Sequence, residues 1–247
     1  MVDTAQERGT KPGQRTRLSG PERRDQIARA TLVLLAQRGL QGTTVSRIAE
    51  EVGIEAPSLY AHFASRHAML LAAMDSLFEM VADWLSTSSD PNALRRLQVI
   101  GESHAGFVTS EFHGFVIPTY EFITAPRDSG LSEIVGQRQL ETLDALAALV
   151  EEGKRQGTIR ADMDARLGAY EVMLCGWAED VAQLMGIDEF LASDISKKAL
   201  QLFLKDMAAR PEPPAPTDEA AASVARESSA ARLAEPAPPN VGPARQP

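Results

Sequence analysis

The amino-acid sequence predicts an all-α fold of about nine helices, a small three-helix head followed by a larger helical body. Apolar residues recur three and four positions apart along most of the stretch from Ile27 to Met207. No alternating segment is long enough to form a strand. Two short helical stretches meet at a glycine turn around Gly53, which is the helix-turn-helix pattern.

Taken in order, residues 1–19 form a polar arm carrying Arg8, Lys11, Arg15 and Arg17. Ser19-Gly20-Pro21-Glu22 has the form of a capping box: a hydroxyl, a proline early in the helix, and a glutamate three residues on. Ile27, Ala30, Thr31, Leu34 and Leu35 follow at helical spacing, so the first helix spans about residues 20–38 and stops at Gly39. Thr43 or Thr44 caps a second helix that buries Val45, Ile48 and Ala49 and ends near Gly53. Pro57 opens a third of less than two turns, with Leu59 and Phe63 facing the core. From Arg66 onward the reading is helical throughout. Met69, Leu70, Ala73, Leu77, Met80, Val81 and Trp84 make one stripe, and Pro91 starts a helix reaching about residue 110. Residues 113–124 form a short helix bent at Pro118, Leu131–Glu152 a long one before a Gly153/Gly157 loop, and 162–185 and 188–207 a closing pair. Residues 210–247 read as a disordered tail, since 211–247 hold nine of the fifteen prolines and no aromatic residue. The expected organisation is thus an arm (1–19), a head (20–66, motif about 44–63), a body (67–209) and a tail (210–247).

The net charge of −9 is divided unevenly. Residues 1–67 hold ten Lys and Arg against seven Asp and Glu, a net of +3, whereas the remainder holds 15 against 27, a net of −12. Only the basic end would attract a phosphate backbone. No apolar run reaches the ~18 residues of a membrane span, and the polar N-terminus predicts no secretory signal. The single cysteine, Cys175, excludes an intrachain disulfide and fits a reducing compartment. A cytoplasmic, nucleoid-associated protein that contacts no membrane is expected.

Residues 21 to about 81 resemble the DNA-binding domain of TetR-family regulators. The resemblance is carried by Ile27 and Ala30, Gly39, Thr43-Thr44-Val45, Ile48-Ala49, Gly53-Ile54, Leu59-Tyr60, His62-Phe63 and Ser65-Arg66, in that order and spacing. It implies a homodimeric repressor that occupies a palindromic operator on double-stranded DNA and is released by a small apolar or aromatic effector, with no cofactor or metal. An activator, or a regulator switched by a protein partner, is the alternative. The major groove, roughly 12 Å wide, admits one helix, here the one beginning Ala56-Pro57-Ser58. Arg47 is placed for a bidentate contact to guanine, Tyr60 and His62 for phosphate oxygens, and Thr43 or Thr44 for main-chain donation at a helix start. Arg66, at the start of the next helix, completes the DNA-contacting set. Glu55 and Ala56 depart from the family, where a small hydroxyl and a basic or polar residue are usual.

Gly101-Glu102-Ser103-His104-Ala105 has the G-x-S-x-[G/A] form of a nucleophile elbow, and a hydrolase using Ser103 and His104 is the remote alternative. That motif needs a preceding strand, whereas residues 94–100 have helical spacing, so no catalytic site is expected. His104, Glu111 and His113 lack metal-ligand spacing. The family layout suggests instead an effector cavity built from Trp84, His104, Phe107, Phe115, Tyr120, Phe122, Met173 and Trp177, with His113, Glu121 and Cys175 as further polar contacts. The closing pair of helices is expected to form the dimer interface through Val172, Val181, Leu184, Leu200, Phe203 and Leu204, with Trp177 beside them.

Overall fold

A computed structural model of the chain describes residues 18–109, 114–192 and 194–209. Most of the expected arm, all of the expected tail, and His113 and Glu111 lie outside the described residues. Ten α-helical segments and one 3₁₀ turn are present among them, and the only β pairing is an isolated bridge between Ile159 and Ala208. The fold is all-α. No described helix is long and apolar enough to cross a membrane.

Local chemistry sets the start of each element. Ser19 caps α1 (Gly20–Gly42) in a complete capping box: its N–H donates to Glu22 Oε2 at 2.7 Å, and Glu22 N–H donates to the serine hydroxyl. Gly39 interrupts this helix at φ 66° and ψ −179°, a conformation open to glycine alone, so the expected stop is there although one further turn follows it. Thr44 caps α2 (Val45–Val52), and Gly53 closes it in the left-handed conformation, donating to Ala49 and Glu50. The third helix, α3 (Ala56–Leu59), is a single turn continued by turn residues 60–62. Ser65 caps α4 (Arg66–Leu85) by accepting from Ala68 N–H at 3.1 Å.

The expected bounds of the five later helices move, several for a local reason. The fifth helix, α5, is Ala93–Thr109. In α6 (Val116–Ile123) Pro118 falls in the first turn, where its missing N–H removes no helical bond, so it does not interrupt the helix. A 3₁₀ turn (Arg127–Ser129) leads to α7 (Leu131–Gln156), which runs through Gly153. Gly153 has no side chain because Ile159 packs onto it; a Cβ would stand 2.5 Å from Ile159 Cδ1. Gly157, at φ +70°, is the cap. Asp164 caps α8 (Ala165–Leu184), accepting from Leu167 N–H at 3.0 Å. The helix expected over 188–207 is instead α9 (Asp188–Ala192) and α10 (Ile195–Met207). Asp194 stands at the N-cap of the second, its main-chain carbonyl accepting from Lys198 N–H at 2.8 Å, without a side-chain capping bond.

Three apolar clusters stack along the molecule. The first joins Ile27 and Leu34 of α1 to Ile48, Ala49, Val52, Leu59, Phe63 and Met69. The second joins Leu32 and Leu35 to Leu70, Ala73, Met74, Leu77, Phe122, Leu131 and Val135. The third unites α5, α7, α8 and α10 around Leu97, Val150, Met173 and Leu200, with Trp84 and Leu85 packed against it. Helix α4 therefore passes through all three, from Met69 to Leu85. Each large side chain buried this way contributes about 1.5–3 kcal/mol, and a shift of α4 disturbs every layer at once.

Candidate nucleic-acid interface and ligand cavity

In the head the helical period separates two faces. Ile48, Ala49, Val52, Leu59 and Phe63 are buried, leaving Thr44, Ser46, Arg47, Pro57, Ser58 and Tyr60 exposed, with Ala56 and His62 half-buried. Tyr60 is 52% exposed although its neighbour Leu59 is fully buried. Arg47 donates through Nη1 to the Gly42 carbonyl at 2.7 Å, which steadies the side chain and leaves other guanidinium donors free. Glu55 occupies the α3 N-cap position without a side-chain capping bond. Arg24 of α1, which the sequence reading missed, lies over the Phe63 ring at 4.2 Å and donates to the His62 carbonyl. It pins the exit of α3.

Two residues expected to contact DNA are occupied within the protein. Thr43 is fully buried, and its hydroxyl donates to the Gly39 carbonyl at 2.9 Å; the exposed threonine is Thr44. Arg66 donates through Nε to the Thr43 carbonyl at 2.6 Å and through Nη2 to the Leu40 carbonyl, tying the start of α4 to the turn between α1 and α2. Both engagements have one cause: the end of α1 around Gly39 leaves backbone carbonyls that need donors.

Leu40 is held from the other side as well. Glu121 of α6 accepts from Leu40 N–H at 2.6 Å. Glu121 therefore faces α1 rather than the cavity where the sequence reading placed it. The same carboxylate fills the space beside Gly39, where a Cβ would stand 2.8 Å from Glu121 Oε1. Gly114, just before α6, is similarly close to α1, with 2.8 Å from its would-be Cβ to Ala36 Cβ.

Between α4, α5, α6, α7 and α8 lies a cavity of about 130 Å³. This is room for roughly four water molecules at about 30 Å³ each. Trp84, His104, Phe107, Phe115, Tyr120, Met173 and Trp177 line it, together with Gln139, Thr142 and Asp180. Trp84 stacks on Phe107 with ring centroids 4.6 Å apart and meets His104 edge-on at 5.9 Å. Phe122 does not line the cavity. It is fully buried in the second cluster, on the other side of α6. Cys175 is likewise buried in the third cluster. Burial, followed by the nearby Glu179 and Glu171 carboxylates, pushes its thiol up to about 11.

The polar end of the cavity centres on His104. Its Nδ1 is 2.9 Å from Oε2 of Glu179, whose side chain is almost wholly buried, and its Nε2 is 3.9 Å from Asp180 Oδ1. Gly176 permits this approach: a Cβ there would meet the imidazole at 3.2 Å. Burial pushes the Asp180 carboxyl up, His104 opposes that, and Glu179 adds to it. The Tyr120 phenol is raised by burial and then by Asp180. Asp180 was missed in the sequence, where the available signal was the Glu179-Asp180 pair just after Trp177. Ser103, by contrast, donates to the Ile100 carbonyl within the continuous α5. No strand precedes it, so the elbow geometry is absent. Gly101 is small because Leu200 packs on it, with 2.5 Å from a would-be Cβ to Leu200 Cδ2.

The expected dimer-interface residues divide. Val172, Leu200 and Leu204 belong to the protomer's own core, and Val172 also lines the cavity. Phe203 is half-buried against that core. Val181 and Leu184 are exposed. With Leu167, Tyr170, Leu174 and Met185 they form one apolar stripe along α8, and Ile195 and Leu202 are exposed on α10. The sequence marked the two helices but not which face of each was spare.

A short helix with polar residues at its free end, set on a helical body with its own cavity, defines a helix-turn-helix regulator with a ligand-binding-type body. The profile described as "Bacterial regulatory proteins, tetR family" matches residues 27–73. The chain is 32% identical over 156 residues to the HTH-type transcriptional repressor KstR2 of Mycobacterium tuberculosis, covering 59% of this chain and 73% of that one. In fold it is similar to a TetR transcription regulator from Haloarcula marismortui, at a TM-score of 0.66 and 19% identity over 76% of this chain and 99% of the other. It is also similar to FadR from Bacillus subtilis in complex with stearoyl-CoA, at 0.57 and 19% over 74% and 98%. The chain belongs to the TetR family and is a DNA-binding transcriptional regulator.

Proposed function

We propose that this protein is a homodimeric repressor that sits on a palindromic or near-palindromic operator and is released when a small apolar or aromatic effector enters the cavity. One observation carries the reading. Helices α4 and α6 both wall the cavity, through Leu77, Val81 and Trp84 and through Val116, Thr119 and Tyr120. The same two helices grip Leu40 at the base of the head, α4 by Arg66 and α6 by Glu121. A ligand that spreads α4 from α6 pulls on both backbone polar groups of Leu40, in the last turn of α1. It thereby alters the separation of the two heads, and the size of the effect is its difference in affinity for the two states.

In the dimer the exposed faces of α8 and α10 from each chain pack as a four-helix bundle with isologous contacts. The heads then stand about one DNA turn apart, roughly 34–36 Å. Arg47 reads a base edge, Tyr60 and His62 donate to phosphates, and Thr44, Pro57 and Ser58 line the approach with half-buried Ala56 behind them. The setting is the cytoplasm, at the nucleoid. The name of KstR2 as a repressor supports the direction of control.

The test is a selected operator titrated with the full chain at fixed salt, first alone and then with a panel of apolar and aromatic compounds. Release by a compound that binds the free protein is expected. Arg47→Ala should cost about 1–3 kcal/mol at one operator position, and Tyr60→Phe should weaken all sites evenly. If no small molecule binds, the partner-switched alternative replaces this reading.

A further inference from the structure

We infer that the cavity is built for a cationic effector, an apolar or aromatic body carrying an ammonium-type group whose charge is received at Asp180 beside Tyr120 and Trp177. This rests on the effector reading above and assigns the chemistry of the ligand.

The charge balance of the cavity supports it. Two carboxylates, Glu179 and Asp180, meet one imidazole, His104. With both carboxylates ionised, the polar end carries one negative charge if His104 is protonated and two if it is not. None of the lining residues is Lys or Arg. An anionic ligand would enter a low-dielectric space without a counter-charge, which is costly.

The two carboxylates are not equivalent. Glu179 is engaged with His104 at 2.9 Å, whereas Asp180 stands 3.9 Å from the same ring, beyond hydrogen-bond distance. Asp180 is the acid that lines the cavity. It also borders an adjoining hollow of about 220 Å³, which shares Thr119, Tyr120, Gln139 and Trp177 and extends to exposed Ile123. A ligand passing between the two spaces goes by Asp180. Burial already penalises that carboxylate in its charged form, so a cation delivered there relieves an existing cost. Electron-rich rings complete the receptor: Tyr120 and Trp177 line both spaces with Asp180, and the Trp84–Phe107 stack holds the apolar body. Aromatic faces around a cation are a recurrent means of ammonium recognition.

Matched probes isolate the charge: 4-phenylbutyltrimethylammonium, 5-phenylpentan-1-ol and 5-phenylpentanoate, each titrated into the full chain at neutral pH. Trp84 and Trp177 are the chain's two tryptophans and both line the cavity, so their fluorescence reports occupancy directly. The ammonium should bind about tenfold or more tighter than the alcohol, and the carboxylate weakest. Asp180→Asn should erase that preference in a variant that still folds, and Asp180→Glu should retain it. The inference is overturned if the alcohol or carboxylate binds as tightly as the ammonium, or if Asp180→Asn leaves the ammonium unaffected. Operator release read in parallel separates the two readings. Should the alcohol or carboxylate bind and release DNA where the ammonium does not, only the charge assignment falls. If no probe binds, or none that binds changes operator affinity, the effector reading falls and takes this one with it.

Discussion

Removing the Glu121 carboxylate should uncouple the cavity from the head at a modest cost in stability. Its Oε2 accepts from Leu40 N–H at 2.6 Å, a charge-assisted bond joining α6 to the last turn of α1. Bonds to charged groups contribute about 1.5–3 kcal/mol, and Leu40 is only half-buried, so water recovers part of that when the acceptor is lost. Glu121→Ala should therefore cost about 1–2 kcal/mol, which lowers the melting temperature of a head and body of ~200 residues by roughly 2–8 °C. Glu121→Gln keeps an acceptor and should lose about half as much. The functional consequence is the sharper one. With α6 untied from Leu40, effector binding should persist while the ratio of operator affinities without and with effector falls toward one. Melting followed by circular dichroism, and operator titration with and without a releasing compound, measure the two effects. Arg66→Lys supplies the comparison on α4, because an ammonium cannot span the Leu40 and Thr43 carbonyls as a guanidinium does. If Glu121→Ala melts like the parent and releases its operator over the same range, α6 takes no part in transmission.

The divided closing helices predict two different failures. Leu202→Glu, at a side chain 69% exposed, should give folded monomers with weak operator affinity by sedimentation. Leu200→Ala, at 1% exposure, should instead cost about 2–5 kcal/mol in unfolding free energy. Cys175, buried with its thiol pushed up to about 11, should resist alkylation at pH 8. Its thiolate fraction is then some hundreds of times below that of a free cysteine, so fast labelling before denaturation would show the α8 core to be open. Gly39→Ala should destabilise by more than about 1 kcal/mol, since φ 66° and the Glu121 carboxylate 2.8 Å away both oppose a Cβ; an unchanged unfolding midpoint would contradict that geometry.

By itself the sequence determined most of what depends on neighbours along the chain, the head above all. Caps at Ser19, Thr44, Ser65 and Asp164 and left-handed glycines at Gly53 and Gly157 set helix ends by interactions within a few residues. The 3.6-residue period alone settles that Leu59 and Phe63 turn inward while Ser58 and Tyr60 turn out. Tertiary structure decided whatever depends on which helices meet. An apolar residue at helical spacing is spare or central according to its neighbours in space, so Leu200 proved to be core and Leu202 exposed. Polar residues obey the same rule. Thr43, Arg66 and Glu121 are indistinguishable in sequence from surface or pocket groups, yet each is spent on a backbone group that only the packed chain leaves in need of a partner. Asp180 became visible as a cavity group only once α8 had been laid against α5 and α6, because a buried charge acquires its meaning from the charges and rings that surround it.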